Sequence, residues 1–361
     1  MRFQAVHIRD FRNLESVTFQ PDRGLNVIEG SNGQGKTSLL EALHLTTSLR
    51  SFRGHPTRDL IRIGQDKSGI LVRFEDEHIT RDVEIQLAGS RRSLKVNGDR
   101  VKQLSEYFGH VRVVTFIPDD VIIFRASPAE RRLFFDRIIF SLTPSYAEES
   151  ACFEETLKQR NGLLRHEQPD LALLDIYDEQ LAQSAAKIVA RRQAFVEKME
   201  APLRLAFHEV FGSDFLVALT YESECEDAPQ ILANLRRRRG HDIQRGHTTF
   251  GPHRDDFLAS LDGQPFKNYA SQGQHRALVL ACKITEMRLA KESGGQWPVL
   301  LMDDVSSELD PIRNQQLFSF LAELDTQVFL TTTNRSTLQL PENYTLWQVD
   351  AGTLSRANTH E

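Results

Sequence analysis

The first third of the chain is dominated by short stretches in which apolar and polar residues alternate. Runs such as FQAVHIRDF, ILVRFED and HITRDVEIQLAG have the two-residue period of strands that are buried on one face. Within RRSLKVNGDRVK, Asn97 and Gly98 form the dipeptide that is typical of a two-residue hairpin turn. LNVIEG and VRVVTF are further short β-rich runs. Up to about Phe124, the pattern therefore predicts an α/β region with many strands.

The middle of the chain changes to a helical period. Leu174, Leu181, Ile188 and Phe195 recur every seven residues, which predicts a long amphipathic helix that ends at Pro202. The earlier segment YAEESACFEETLKQRNGLLR is expected to pack against this helix, and DFLVALTY to form one strand. This part therefore predicts a compact, mainly helical lobe.

Strand patterns return after RRRRGHDIQRG, at PVLLMDD and QVFLTTT. The first and last parts of the chain thus share the same pattern of short β-rich runs. We therefore predict a discontinuous α/β head, formed by residues 1–125 and 246–361, with the helical lobe of residues 126–245 inserted into it.

Composition limits the class of protein without naming a function. With 361 residues, 40% hydrophobic and 26% charged, the chain is typical of globular proteins. The net charge of −6 argues against a uniformly basic surface, although 34 of the 44 basic residues are arginines, which suit phosphate; codon usage explains that excess equally well. No apolar run has the length of a membrane span and no signal-peptide pattern is visible, so we expect a cytoplasmic protein without a membrane partner.

The strongest chemical motif is GSNGQGKT at residues 30–37, which matches the phosphate-binding pattern G-x-x-x-x-G-K-[ST]. It lies between a predicted strand, LNVIE, and a predicted helix, TSLLEALHLT. Main-chain N–H groups of such a loop wrap the phosphates, Lys36 neutralises their charge and assists catalysis, and Thr37 binds Mg²⁺. The predicted ATP-binding residues are Gly30, Ser31, Asn32, Gly33, Gln34, Gly35, Lys36, Thr37 and Ser38.

A second motif is VLLMDDVSSELD, in which a buried strand ends in two carboxylates. The carboxyl ends of strands form the edge where α/β sheets bind their ligands. Asp303 is therefore predicted to hold Mg²⁺ together with Thr37, and Asp304 to position the attacking water. The alternative is that the two acids only cap the helix that begins near Pro311.

The stretch SQGQHRALVLACKI places a small polar cluster before an apolar helix. Together with the two motifs above, it resembles the signature of ATP-binding-cassette ATPases of the SMC type. That resemblance implies that Ser271, Gly273 and Gln274 act in trans, on the ATP of a second copy in an ATP-dependent homodimer. It also implies a D-loop with Ser307 and Asp310 at the interface. The alternative is that Ser271 is an ordinary helix N-cap.

The resemblance narrows to the RecF family. The strings HIRDFRNL, SFRG, FIPDD, SPAERRLFFDR, FGPHRDDF and DDVSSELD occur in its order and spacing, and they extend over nearly the whole chain. This implies an SMC-like ATPase that uses ATP and Mg²⁺, with Arg12 among the ATP-binding residues. It further implies roles in DNA replication, recombination, repair and the SOS response to DNA damage. The implied partners are double-stranded DNA at gaps or junctions, RecO and RecR, and indirectly RecA.

The sequence departs from the cassette pattern at three places, and the first two departures indicate slow hydrolysis and a switch rather than a motor. Stimulation of this hydrolysis by DNA is what the resemblance implies. Asp304 stands where many relatives have the longer glutamate, and Thr332 where they have a switch histidine. The usual Q-loop glutamine is replaced within IPDD, where Asp119 or Asp120 could take its role. The alternatives are a transporter-type ABC subunit and a P-loop kinase for a small molecule, which would have no use for SQGQ.

DNA contacts are predicted only from arginines. Each could equally belong to a solvated face or to an ion pair within the chain. The candidates are Arg91, Arg92, Arg131, Arg132, Arg236, Arg237, Arg238 and Arg239.

Overall fold

The computed structural model describes residues 1–76, 79–101, 107, 112–212, 215–304, 311–322, 324–338 and 340–357. The chain divides into two compact units. Unit 1 is formed by Met1–Val121 and Cys282–Glu361, and unit 2 by Ile122–Ala281.

Strands and helices alternate along most of the described chain. The strands are β1 (Arg2–Phe11), β2 (Leu14–Phe19), β3 (Leu25–Glu29), β4 (Lys67–Asp76), β5 (Ile79–Ala88), β6 (Arg91–Val96), β7 (Asp99–Arg100), β8 (Val113–Phe116), β9 (Val217–Glu222), β10 (Asp256–Leu261), β11 (Gln264–Pro265), β12 (Val299–Asp303), β13 (Val328–Thr332), β14 (Tyr344–Asp350) and β15 (Thr353–Ala357). The helices are α1 (Lys36–Ser48), α2 (Pro128–Leu142), α3 (Tyr146–Leu164), α4 (Leu171–Phe211), α5 (Ala228–Arg245), α6 (Phe266–Tyr269), α7 (Gln272–Gly294) and α8 (Pro311–Ala322), with 3₁₀ turns at Thr57–Leu60, Pro118–Arg125 and Arg335–Thr337.

The central sheet of unit 1 has the strand order β15-β14-β3-β13-β12-β8. Strands β14, β3, β13, β12 and β8 are parallel, and β15 closes one edge in antiparallel pairing. All five residues of β12 and of β13 are buried, as expected for parallel strands that are covered on both faces. The carboxyl ends of β3, β13 and β12 therefore meet at one edge. The α/β class that the pattern predicted is confirmed.

A second, antiparallel sheet of unit 1 has the order β2-β1-β4-β5-β6-β7. In β4 and β5 buried and exposed residues largely alternate, as the two-residue period predicted. Asn97 (φ 51°) and Gly98 (φ 89°) form the turn between β6 and β7. Since both turn residues need a positive φ, the hairpin that the dipeptide predicted is present.

Unit 2 is built around α4, which is longer than predicted. The sequence suggested an end at Pro202, but the helix continues to Phe211, so that expectation is wrong. A proline inside a helix costs about 3 kcal/mol. Leu203, Phe207 and Val210 continue the buried stripe beyond it, and each buried side chain of this size contributes about 1.5–3 kcal/mol. The helix ends at Gly212, which takes the left-handed conformation of a C-cap at φ 70°.

The boundary after the insert differs from the predicted one. The segment RRRRGHDIQR lies on α5, and β10 follows it as the partner of β9 in a three-stranded sheet β11-β10-β9. Residues 246–281 thus belong to unit 2 instead of the α/β part. The physical reason is this pairing, because antiparallel hydrogen bonds join β10 to a strand of the insert. The first boundary, after Val121, lies four residues before the predicted one at 125.

Candidate functional site

The phosphate-binding loop lies where the sequence placed it, between β3 and α1. Gly33 and Gly35 have positive φ values of 80° and 116°, which glycine adopts without strain. A Cβ on Gly35 would also lie 2.7 Å from Cδ2 of Leu14, and one on Gly30 would lie 2.5 Å from the carbonyl oxygen of Val349. Conformation therefore favours glycine at Gly33, close packing requires it at Gly30, and both apply at Gly35.

Lys36 is the first residue of α1 and is 6% exposed. Its Nζ donates hydrogen bonds to the carbonyl oxygens of Gly30 (2.5 Å) and Ser31 (3.0 Å). Burial lowers the pKa of Lys36, and the negative charges of Asp304 and Asp303 oppose that shift. A buried ammonium group is thus held inside the loop by neutral acceptors.

Thr37 and Asp303 meet at the sheet edge, as predicted. The hydroxyl of Thr37 donates to Oδ1 of Asp303 at 2.8 Å. Burial raises the pKa of Asp303, while the hydroxyl groups of Thr37 and Thr331 and the charge of Arg53 lower it. Arg53, which belongs to the string SFRG, has its Nη2 4.0 Å from Oδ2 of Asp303 and is half-exposed. The site therefore combines oxygen ligands with two cations, Lys36 and Arg53.

Sequence reasoning missed Thr331, which holds the aspartate pair. In the parallel pairing of β12 and β13, Thr331 stands beside Asp303. Its hydroxyl donates to Oδ1 of Asp303 at 2.9 Å and accepts the N–H of Asp304 at 2.9 Å. Asp304 has a φ of 47°, so the chain turns sharply where the strand ends. The only signal in the sequence was the polar TTT at the end of a strand.

Arg12, an expected ATP-binding residue, is occupied by protein groups. Its Nε and Nη2 donate to the two carboxylate oxygens of Glu41 on α1, at 2.9 and 3.1 Å. Its Nη1 donates to the carbonyl of Asp59 at 3.0 Å. Arg12 thus forms an ion pair with α1, the helix that follows the phosphate loop. Its direct contact with ATP stays a prediction.

Thr332 and Asp120, two positions at which the sequence departs from the cassette pattern, both form local hydrogen bonds. The buried Thr332 hydroxyl accepts the N–H of Asn334 at 3.2 Å, in the loop that follows β13. The carboxylate of Asp120 is buried, accepts the N–H of Ile117 at 3.2 Å and lies 3.6 Å from Nζ of Lys283. Asp120 thus has a local structural role, and the assignment of Asp119 or Asp120 to the Q-loop stays a prediction.

The signature residues lie at the start of α7, in unit 2. Ser271 Oγ accepts the N–H of Gln274 at 3.2 Å, and Oε1 of Gln274 accepts the N–H of Ser271 at 2.7 Å. This reciprocal pair is a capping box, which leaves Ser271 exposed and places Gly273 in the first helical turn. The N-cap alternative is therefore realised, and it is compatible with an anion site. The D-loop residues Ser307 and Asp310 lie outside the described residues.

The GPHRDD segment is part of a buried polar network in unit 2. Arg131 is 4% exposed and forms a bidentate pair with Asp256, at 2.9 and 2.5 Å. Nη1 of Arg132 donates to the carbonyl of Asp255 at 2.5 Å, and Nη1 of Arg192 to that of Pro252 at 2.7 Å. The predicted DNA role of Arg131 is therefore corrected, because its guanidinium group serves an internal ion pair.

Most of the arginine run on α5 is also paired within unit 2. Arg236 and Arg239 contact Asp175, Arg239 also contacts Asp178, and Arg238 contacts Glu224. Exposed candidates are Arg237, whose Nη2 donates to Asn234, and Arg91 and Arg92 at the start of β6. Partial burial and the nearby charge of Arg50 lower the pKa of Arg92. Two arginines that lie close together, such as Arg50 and Arg92, create a positive potential that attracts anions.

Comparisons with known proteins match this architecture over nearly the whole chain. Residues 2–353 match the family described as RecF/RecN/SMC N terminal domain. The DNA replication and repair protein RecF of Myxococcus xanthus is 37% identical, over 96% of this chain and 95% of its own. The protein of the same name from Geobacter sulfurreducens is 34% identical, over 98% and 100%.

Solved structures give the same result. The recombination mediator protein RecF with ATP, from the RecFOR pathway, matches with a TM-score of 0.88 at 29% identity, over 99% of this chain and 97% of that one. An Smc head bound to the C-winged helix domain of ScpA matches with a TM-score of 0.56 at 13% identity, over 100% and 98%, which shows a shared fold. None of the helices in the described part of the chain combines the length and hydrophobicity that crossing a bilayer needs.

Proposed function

The chain belongs to the RecF family of SMC-like ABC-type ATPases, and on that premise we propose that it is a slow, DNA-stimulated ATPase of replication and recombinational repair. ATP would switch it to a homodimer that binds double-stranded DNA at gaps or junctions. With RecO and RecR as partners, it would promote the loading of RecA in the cytoplasm. The observation that carries this proposal is the group formed by Lys36, Thr37, Asp303 and Asp304 at one sheet edge.

ATP and Mg²⁺ fit the residues at this edge. Lys36 is a buried cation with only neutral hydrogen-bond acceptors among its described contacts, so a phosphate would supply the missing opposite charge. The Thr37 hydroxyl and the Asp303 carboxylate are the hard oxygen ligands that Mg²⁺ prefers. Among the described residues, no group of three or more His, Cys, Asp or Glu side chains could hold a metal by itself. Mg²⁺ binding would therefore depend on the nucleotide phosphates and on water.

Hydrolysis would use Asp304 to orient the attacking water and Lys36 to stabilise the charge that develops on the phosphate. The Thr331 hydroxyl supports this role because it fixes the N–H of Asp304 at 2.9 Å. Slow turnover is expected because the carboxylate of Asp304 is one methylene shorter than that of glutamate, and because Thr332 is hydrogen-bonded to the next loop.

The signature would act on the partner copy. An exposed helix N-terminus offers N–H groups and a positive dipole end to an anion, and Ser271, Gly273 and Gln274 form that end of α7. Two identical subunits in C2 symmetry would complete two sites, each with a phosphate loop from one chain and a signature from the other. DNA would be bound by exposed arginines, of which we propose Arg91, Arg92 and Arg237.

Phosphate release from ATP without an added acceptor, measured with and without duplex DNA, tests the proposal. We expect slow turnover that DNA increases, and its loss in Lys36→Ala and in Ser271→Arg. Mixing the two variants should restore about a quarter of wild-type turnover, because half of the randomly paired dimers contain one intact composite site. Lys67→Ala, at an exposed position on β4, is the control and should match the wild type.

Two outcomes would contradict the proposal. Absence of acceptor-independent turnover would exclude the ATPase and would leave a kinase that transfers phosphate to a small molecule. A mixture that regains neither turnover nor an ATP-dependent dimer, as seen by light scattering, would exclude action of Ser271 in trans.

A further inference from the structure

The phosphate loop is contacted from outside its motif by the turn between β14 and β15. The side-chain Oε1 of Gln34 accepts the N–H of Ala351 at 2.5 Å, and its carbonyl oxygen accepts the N–H of Gly352 at 3.0 Å. Gln34 lies within the loop, four residues after its first glycine, Gly30. Two hydrogen bonds therefore join this residue to a turn more than 300 positions away along the chain.

This turn has little freedom to move. Asp350 pairs with Thr353, so Ala351 and Gly352 form a two-residue turn, with φ values of 47° and 78°. A Cβ added to Gly352 would lie 2.5 Å from the carbonyl oxygen of Asn13. The turn is thus packed against the connection between β1 and β2.

Asn13 in that connection also contacts the phosphate loop. Its Nδ2 donates to the carbonyl of Gly33 at 2.9 Å, and its Oδ1 accepts the hydroxyl of Ser38 at 2.7 Å. One side-chain amide therefore bridges the loop and the first turn of α1.

We propose that Asn13, Gln34, Ala351 and Gly352 form a loop clamp that holds the phosphate loop in its nucleotide-binding conformation. In this arrangement the side chain of Gln34 is a positioning group and not a phosphate ligand, and the C-terminal hairpin sets the affinity for nucleotide. The inference rests on the proposed function, since it assumes that the loop binds ATP.

The clamp acts through the entropy of the loop. A loop that is held in its bound conformation loses less freedom when it binds, so preorganisation raises affinity. Releasing the clamp should therefore weaken the binding of ATP. In Gly352→Ala, which changes only the turn between β14 and β15, the turnover rate at saturating ATP should stay nearly unchanged, because this turn does not touch the reacting groups.

The first test is Gly352→Ala, measured as the Kd for a fluorescent ATP analogue in the full-length protein. The new Cβ must displace the turn, and we expect the Kd to rise about three- to tenfold, as for the loss of one hydrogen bond. Gly98→Ala is the matched control, because it strains the same position of a two-residue turn (φ 89°) but its Cβ would meet no atom within 4 Å. That control should keep the wild-type Kd.

The second test is Gln34→Met, which keeps the length of the side chain but removes the acceptor for Ala351. We expect a rise in Kd of similar size, and no further rise beyond about twofold when Gly352→Ala is added, because both changes act on the same connection between Gln34 and the turn. The thermal midpoint of the nucleotide-free protein separates loss of positioning from loss of folding, and turnover at saturating ATP is compared only between Gly352→Ala and the wild type.

The outcomes are distinguishable. A wild-type protein that binds no ATP would overturn the proposed function together with the clamp. Wild-type binding with an unchanged Kd in Gln34→Met would overturn the clamp alone. Additive losses in the double variant, or equal losses in Gly98→Ala, would show that general destabilisation accounts for the effect and would overturn it as well.

Discussion

Both units bury charged side chains, but Arg160 in unit 2 forms close ion pairs with carboxylates, whereas Lys36 in the phosphate loop of unit 1 donates its hydrogen bonds to neutral groups. In unit 2, Arg160 is fully buried and contacts the equally buried Asp178 and Asp242 at 2.6 and 2.8 Å. In the phosphate loop of unit 1, Lys36 donates to two main-chain carbonyls, and Asp303 accepts hydroxyl groups while Arg53 is 4.0 Å away. Buried charge that is matched inside the chain fixes structure, whereas charge held by neutral groups is available to a ligand.

The largest expected effect on stability comes from removing Arg160, which pairs with Asp178 and Asp242 in unit 2. Arg160→Met would leave the buried Asp242 without its cation and Asp178 with only Arg239, and we expect the free energy of unfolding to fall by about 3–5 kcal/mol. Denaturant unfolding monitored by circular dichroism measures this change. Arg236→Met removes an exposed pair of the same unit and should cost at most about 1 kcal/mol. If both variants lost the same unfolding free energy, the buried ion pairs of Arg160 would matter no more than the exposed pair of Arg236.

For the phosphate loop, we expect a small effect on stability and a large effect on the affinity for ATP. Lys36→Met removes a buried cation whose hydrogen-bond acceptors are neutral carbonyls, so the free energy of unfolding without nucleotide should change by less than about 1 kcal/mol. The Kd for ATP should rise about 10- to 100-fold, because a hydrogen bond to a charged group contributes about 1.5–3 kcal/mol. Isothermal titration gives the Kd and thermal melting the stability. A destabilisation as large as that of Arg160→Met would mean that Lys36 is a structural residue.

A smaller effect concerns acid stability. Burial lowers the pKa of His253 in unit 2 to about 4, with Arg254 and Arg132 acting in the same direction. Between pH 6.5 and 4 the unfolded chain then binds a proton that the folded chain does not, so stability falls as pH falls through this window. At pH 5 the loss is about 2 kcal/mol relative to pH 7.5.

We therefore expect His253→Gln to lose less stability than the wild type between pH 7.5 and 5. Chemical denaturation at the two pH values measures the difference. His7→Gln, at an exposed position of β1, serves as the control and should follow the wild type. If His253→Gln lost as much stability as the wild type, acid sensitivity would have to come from other groups.

The functional motifs could be predicted because each is contiguous in the chain. The loop of residues 30–37 and the strand that ends at Asp303 carry their chemistry and their flanking elements within a few residues. The partners of these motifs could not be predicted in this way. Thr331 contacts Asp303 from the neighbouring strand, and Asn13 contacts the phosphate loop from the turn between β1 and β2. Only strand order and register bring such residues together.

The arginines and the long helix show the same limit. The sequence gives no sign that Arg131 has a carboxylate partner 125 positions away. Pro202 indicates a helix end by local rules, yet the buried stripe beyond it keeps α4 intact to Phe211. For the helix, the burial of several apolar side chains beyond Pro202 outweighed the local preference of proline. For Arg131, the partner depends on which strand the fold places beside it.

By itself, the sequence determined the α/β class, the nucleotide chemistry and the family. Backbone periodicity and the glycine, lysine and aspartate positions of the motifs act over short distances along the chain. The tertiary structure alone decided which charges are neutralised internally, which residues support the phosphate loop, and where the units divide. Those properties depend on contacts between residues that are close in space and far apart in sequence, and such contacts exist only after the sheets have fixed their strand order and register.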